Sequence, residues 1–297
     1  MSTLSGLISA GGGGSLLNIW IRSSQTWTPP FDGVGTIHVI GGGAPGQTSH
    51  RQEYNICGGG PAGGYSRKEV TFSTSTNWTM TIGAGGVPTL KTTSNSAGLS
   101  GGVSAGGLSR AVASGYNILA NGGGLGGATD AAGAAGGTAS GGDVNYTGGK
   151  SGTHNSSFLK GKGGGAVATQ VSGGSTYPAL ANRKGGQNSD CIGPYDPSSY
   201  GQMTGGGYGG PAIMQHYYTV PPDTGVYQIA DGGFLAGGGA VRAYAGNGQD
   251  YMIILGGDGG IGGGGGFAQN THSGGSMGTM GGHGGQGIIF IQYRAKE

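Results

Sequence analysis

The 297-residue chain has little charge, little cysteine and no long apolar run. Only 9% of its residues are charged, 14 Lys and Arg against 12 Asp and Glu. That leaves no basic stripe to neutralise phosphates, which argues against nucleic-acid binding. No run approaches the ~20 apolar residues of a membrane span, which argues against membrane insertion. The opening "MSTLSGLISAGGGG" lacks the basic start and apolar centre of a secretory signal, so synthesis in a cytosol is expected. Cys57 and Cys191 form no disulfide framework; pairing stays open, with buried thiols the favoured state. The 34% hydrophobic content, against ~45–50% in ordinary domains, allows only a small apolar core.

Glycine is what the chain has in excess, at 78 residues. Ordering glycine costs more backbone entropy than ordering any other residue, so a random chain of this kind would stay disordered. Here charge is low and Tyr, Ile, Leu and Val interrupt the glycine, which points to a folded chain. Several tracts repeat every three residues: Asp258 and Ile261 in "GGDGGIGG", His283 and Gln286 in "GGHGGQG". Three residues per turn is polyproline-II geometry, which has no internal hydrogen bonds and turns every N–H and C=O outward. Packed side by side, such helices would bond to one another, and only glycine lets the backbones close up. With 11 prolines and no strict Gly-X-Y, collagen is excluded, and this glycine density excludes α-helix.

Between the tracts, β-like alternation marks strands near 34–40 and 65–82, and β-like apolar runs mark others near 251–255 and 287–293. Ile37 and Val39 share one face, as do Val70 and Phe72, and Trp78, Met80 and Ile82 share another. The two strands within 65–82 read as a hairpin across "STSTN". The expected fold is mostly β and irregular, a small β-sheet or sandwich framing a bundle of polyglycine-II-type helices, essentially without α-helix. Residues 1–30, with Trp20, Trp27, "LNIWIR" and a Pro-Pro stop, read as an N-terminal attachment or leader segment, and 31–297 as the glycine-rich domain. Trp20 and Trp27 are the attachment candidates, with burial in the chain's own sheet as the alternative.

The order "WTPPFDGVGTIHVIGGGAPG", "GGGPAGGYSRKEVTFSTSTNWTMTIGAGG", "GGVSAGGLSRAVASGYNILANGGGLGG" and "GGHGGQGIIFIQY" resembles the glycine-rich domain of bacteriophage tail-fibre and tail-tip proteins. The landmarks are Trp27 and Pro30, Ile40 before Gly41, Ile82 before Gly83–Gly86, and Gly284–Gly287 before Ile288, so the resemblance covers roughly 27–293. It implies a virion protein at the distal end of a fibre, acting as a non-enzymatic, receptor-binding adhesin. The implied partners are a host cell-surface polysaccharide or outer-membrane protein, and other tail-fibre or baseplate proteins through residues 1–30. The copy number is open between a homotrimer and a single copy capping a trimeric shaft. A similar glycine-rich domain occurs in the anaplastic lymphoma kinase ectodomain family, so the architecture alone does not specify a phage. Residues 175–235 match no shared pattern.

Motifs for chemistry are weak. "GVSAG" around Ser104 and "GGSMG" around Ser276 fit a nucleophile elbow, but neither has the strand before and helix after that such an elbow needs. "GGKS" at 148–151 lacks the spacing of a phosphate loop. The histidines, His38, His50, His154, His216, His272 and His283, show no metal-ligand spacing, and Asp190, Asp196, Asp223 and Asp231 read as turn caps. No catalytic residue, metal or cofactor is expected. The informative stretch is 190–234, where Tyr195, Tyr200, Tyr208, Tyr217, Tyr218 and Tyr227, with His216, mix with Ser, Gly, Asp and Pro. Tyrosine gives broad amphipathic contact at low entropy cost, so these are the receptor-binding candidates. The alternative is that they cap glycine helices. Two further readings of the chain are a tail-fibre or baseplate connector without host contact, and a depolymerising enzyme.

Overall fold

The computed structural model describes residues 16–50, 58–92, 98–100, 102–125, 134–150, 201–203, 224–228, 231–232, 237–238, 241–243, 251–270 and 276–296. The described part is all-β and contains no helix. In chain order the strands are β1 (Leu17–Ile21), β2 (Gln25–Trp27), β3 (Gly33–Ile40), β4 (Thr48–His50), β5 (Tyr65–Phe72), β6 (Trp78–Thr81), β7 (Leu90–Lys91), β8 (Gly98–Ser100), β9 (Ser109–Ala113) and β10 (Tyr116–Ala120). They continue with β11 (Ala139–Ser140), β12 (Val144–Tyr146), β13 (Gly201–Met203), β14 (Thr224–Gln228), β15 (Val241–Ala243), β16 (Tyr251–Leu255), β17 (Ala268–Asn270), β18 (Ser276–Met280) and β19 (Ile288–Ala295).

Two antiparallel five-stranded sheets, β1-β19-β3-β5-β12 and β11-β10-β9-β6-β2, form a sandwich. Alternation explains its core: Ile37, Val39, Ile289, Ile291 and Tyr293 from one sheet meet Trp78, Met80, Ala111 and Ile118 from the other. Burying these side chains removes apolar surface from water at roughly 25 cal/mol per Å². Two mixed sheets, β13-β15-β17-β4-β8 and β14-β16-β18-β7, pack against each other and contain the parallel pairs.

Glycine tracts connect the two systems of strands. Residues 41–47 run from β3 to β4, 82–89 from β6 to β7, 102–108 enter β9 from the β8 side, and 281–287 run from β18 to β19. Their bonding explains the glycine. From 41–47, Gly41, Ala44 and Gln47 donate to Gly64, Pro61 and Gly58, Gly43 and Gly46 to Gly285 and Gly282, and Gly42 to Gly107, at 2.8–3.1 Å. Two of the three neighbours are therefore reached by residues three apart, and the third through Gly42, since Pro45 has no N–H to donate. Parallel strands β16 and β18 hand their register on in the same way: Gly256, Gly259 and Gly262 donate to Met280, His283 and Gln286 at 2.8–2.9 Å. The tracts lie so close that a methyl at Gly43, Gly60, Gly264 or Gly282 would overlap the carbonyl of Gly263, Ala44, Gly60 or Gly257, respectively.

The expected strands near 34–40, 251–255 and 287–293 are present as β3, β16 and β19. The hairpin across "STSTN" is not: β5 and β6 belong to different sheets, and residues 73–77 cross the sandwich between them. The reason is packing, since Phe72 and Trp78 both enter the core with ring centroids 5.8 Å apart. Asp32 holds the crossing turn, accepting from Thr74 N at 2.7 Å and Thr74 Oγ1 at 3.1 Å. Those bonds draw its carboxyl below the usual range, the backbone bond most. Residues 17–27, within the segment set apart at the N-terminus, supply β1 to one sandwich sheet and β2 to the other.

Candidate functional site

The face of the first sheet turned away from the sandwich core carries a group of polar and aromatic side chains. Because Ile37, Ile289 and Ile291 point inward, their neighbours Thr36, His38, Phe290 and Gln292 point outward. Register then assembles two rows across the strands. Trp20 pairs with Phe290, Phe290 with His38, and His38 with Arg67. One step along, Asn18 pairs with Gln292, Gln292 with Thr36, and Thr36 with Glu69.

In the first row Trp20 stacks on Phe290 with centroids 4.2 Å apart while keeping 46% of its surface exposed. His38 sits behind them, its ring 5.5 Å from Phe290 and its Nδ1 2.8 Å from the Tyr65 hydroxyl. Burial, and secondarily the Arg67 charge, lower its pKa to about 4, so the imidazole is neutral at pH 7. Burial likewise pushes the Tyr65 hydroxyl up. Tyr65 in turn stacks with Tyr146 of β12 at 6.0 Å.

The second row consists of side chains able to hydrogen-bond. Gln292 Nε2 donates to Asn18 Oδ1 at 3.0 Å. Thr36, Glu69, Thr71, Gln292, Arg294 and Tyr116 are among the residues lining a cavity of about 520 Å³. Next to Glu69 in β5, Lys68 Nζ bonds Asp143 Oδ1 at 2.6 Å, and Glu69 N donates to Asp143 Oδ2 at 2.8 Å. These bonds hold the Asp143 carboxyl low, the Lys68 bond most. Aromatic rings beside amide, hydroxyl and carboxylate groups equip this face for non-covalent recognition.

Of the residues expected from sequence to bind a receptor, Tyr195, Tyr200, Tyr208, His216, Tyr217 and Tyr218 lie outside the described residues, and Tyr227 lies in β14, paired with Ile254. Cys57, Cys191, His154, His272, Asp190, Asp196 and Asp223 also lie outside them. Of the attachment candidates, Trp20 is on the outer face, whereas Trp27 is half-buried against the core, its ring 5.5 Å from Phe72 and 5.9 Å from Tyr293. Ser104 Oγ accepts from Val87 N at 3.1 Å within a glycine tract. The Gly148 N–H of "GGKS" is bonded to Gly137 O at 2.9 Å. Asp231 accepts from Asp258 N at 2.8 Å, and Asp258 from His283 N at 2.7 Å, so both carboxylates cap tract backbone.

Sequence reasoning missed Asn18, Thr36, Glu69 and Gln292 as a group. The alternation in β3 foretells that Thr36 and His38 point outward, but only register brings the four together. Among the described residues no helix is long and apolar enough to cross a membrane, and no group of three metal-ligating side chains occurs. In comparison with known proteins, no family model matches the chain and no curated protein matches it significantly.

Proposed function

We propose that the protein is the receptor-binding adhesin of a bacteriophage tail-fibre tip, a non-catalytic virion component in which glycine tracts form a rigid scaffold for host recognition. The tracts are polyglycine-II-type helices in this reading. The observation that carries it is the hydrogen bonding between tracts, which runs at three-residue spacing from 41–47 to 58–64 and to 281–287, where the tracts join the sandwich to the mixed sheets. Each such bond contributes a net ~0.5–1.5 kcal/mol, so many of them hold a chain with a small apolar core. A frame of that kind is suited to presenting binding residues, with Tyr195, Tyr200, Tyr208, His216, Tyr217, Tyr218 and Tyr227 as candidates for contacting a surface polysaccharide or outer-membrane protein.

The test is to present fluorescently tagged protein to a broad panel of bacteria, beside a form in which 195–227 is replaced by short Gly-Ser turns. Labelling of particular strains that the replacement abolishes is expected. Equal labelling by both forms, with the fold intact, would remove the tyrosine stretch from recognition. A second reading, a connector or cap that meets only other fibre or baseplate proteins, draws on the exposed Trp20 on β1 at the edge of its sheet. It predicts no labelling by either form, and capture of a fibre protein that depends on Trp20.

A further inference from the structure

We propose that the outer face of the first sandwich sheet, over Asn18, Gln292, Thr36 and Glu69, is a binding site for an uncharged, hexose-containing glycan. This deepens the adhesin reading and rests on it for the source of the glycan, a bacterial surface polysaccharide. The four residues form one register row across β1, β19, β3 and β5. Neighbouring strands lie ~4.8 Å apart, so the row presents a hydrogen-bonding group at about that interval, a spacing comparable to that of hydroxyls across a sugar ring.

The chemistry suits polyols. A carboxylate accepts from two hydroxyls, an amide both donates and accepts, and a threonine hydroxyl does either. The bond from Gln292 to Asn18 orders both amides and leaves the Asn18 Nδ2 donor and the Gln292 Oε1 acceptor for a ligand. The charges lining the cavity are one of each sign, Glu69 and Arg294, so the lining itself carries no net charge to select an ion. Apolar surface stands on two sides: the Trp20 and Phe290 stack in the adjoining row, and Leu16 and Val34, 58% and 37% exposed, at the cavity's rim. A sugar ring has this same division between hydroxyl edge and C–H face. The cavity that Gln292, Thr36 and Glu69 line, with Asn18 beside Gln292, has a volume of about 520 Å³, within the ~300–1,000 Å³ of small-ligand sites.

The experiment uses the full chain and a Thr36→Val, Glu69→Ala double variant, whose side chains lie outside the sandwich core. Both are titrated with hexamers of glucose, galactose, mannose and N-acetylglucosamine, and with a galacturonic-acid hexamer as the charged comparison. At least one uncharged oligomer should bind, the double variant should bind it about tenfold or more weakly at an unchanged melting temperature, and the charged oligomer should not bind. A Trp20→Ala form supplies a second reading from the neighbouring row and should weaken the same oligomer. Binding of none of the uncharged oligomers, equal binding by the double variant, or binding of the charged oligomer alone overturns the proposal. Bacterial labelling separates this from the adhesin reading. Labelling that survives the double variant but not protease treatment of the cells keeps an adhesin and assigns it a protein receptor. Oligomer binding without labelling of any strain keeps the glycan site and removes the adhesin.

Discussion

Gly123 and Gly124 are adjacent in the same tract and should respond in opposite ways to alanine. A methyl on Gly123 would run into the Pro61 carbonyl and the Ala44 amide nitrogen, both backbone, so neither can swing aside. Relieving the overlap strains three bonds: Ala44 N to Pro61 O at 2.9 Å, Gly123 N to Gly42 O at 2.9 Å and Gly106 N to Gly123 O at 3.0 Å. At ~0.5–1.5 kcal/mol net per bond, and with overpacking typically costing ~1–3 kcal/mol, Gly123→Ala should lose about 3 kcal/mol. On Gly124 the nearest atom to a methyl is Ala135 O at 3.7 Å, an ordinary contact. Gly124→Ala should therefore be neutral or gain ~0.4–1 kcal/mol by restricting the unfolded chain. With an unfolding entropy of ~2.1 cal/mol/K per residue, the Gly123 loss corresponds to a melting temperature roughly 5 °C lower. Scanning calorimetry with urea unfolding in parallel measures both. Equal stability of the two variants would refute the claim that backbone contact between tracts dictates glycine.

Three other outcomes are expected. The folded state holds His38 neutral with a pKa of about 4 against 6.5 for the free side chain, so its contribution is intact above pH 6.5 and is lost as pH falls from 6.5 towards 4. Allowing for its partial exposure, urea titrations should show about 2 kcal/mol of loss across that window, and His38→Gln should flatten it. The Tyr293 hydroxyl is buried without a hydrogen-bond partner, and burial pushes it up to about 12, so Tyr293→Phe should stabilise by ~1 kcal/mol in the same assay. Gly264→Ala, whose methyl would meet the Gly60 carbonyl, should lower the melting temperature as Gly123→Ala does, whereas Gly278→Ala, nearest to the tip of Leu90 at 3.8 Å, should not.

The sandwich was legible where strands carry their own pattern. In β3 and β6 the apolar residues alternate and β19 opens as an apolar run, and the structure buries Ile37 and Val39, Trp78 and Met80, and Ile289 and Ile291. Strands such as Thr48–His50 and Gly98–Ser100 are three residues long, too short for a pattern, and exist because neighbouring strands pair with them. The supposed hairpin failed because local spacing around "STSTN" fits a turn within a sheet as well as one between sheets; the shared burial of Phe72 and Trp78 selects the second. The outer-face row was illegible for a related reason. Asn18 and Gln292 touch across a separation of 274 residues, so their partnership is a property of β1 and β19 register that neither strand reveals alone.

Amide hydrogen exchange over 41–47, 58–64 and 281–287 tests the scaffold most directly. The amides of these tracts donate to other segments rather than along their own, so their protection must come from those neighbours. The account predicts that Gly41, Gly43, Ala44, Gly46, Gly60 and Gly63 exchange as slowly as Ile289 and Ile291 in the sandwich, because all are released only when the lattice opens as a whole. Exchange of the tract amides at the rate of an unfolded chain, while β19 stays protected, would contradict it.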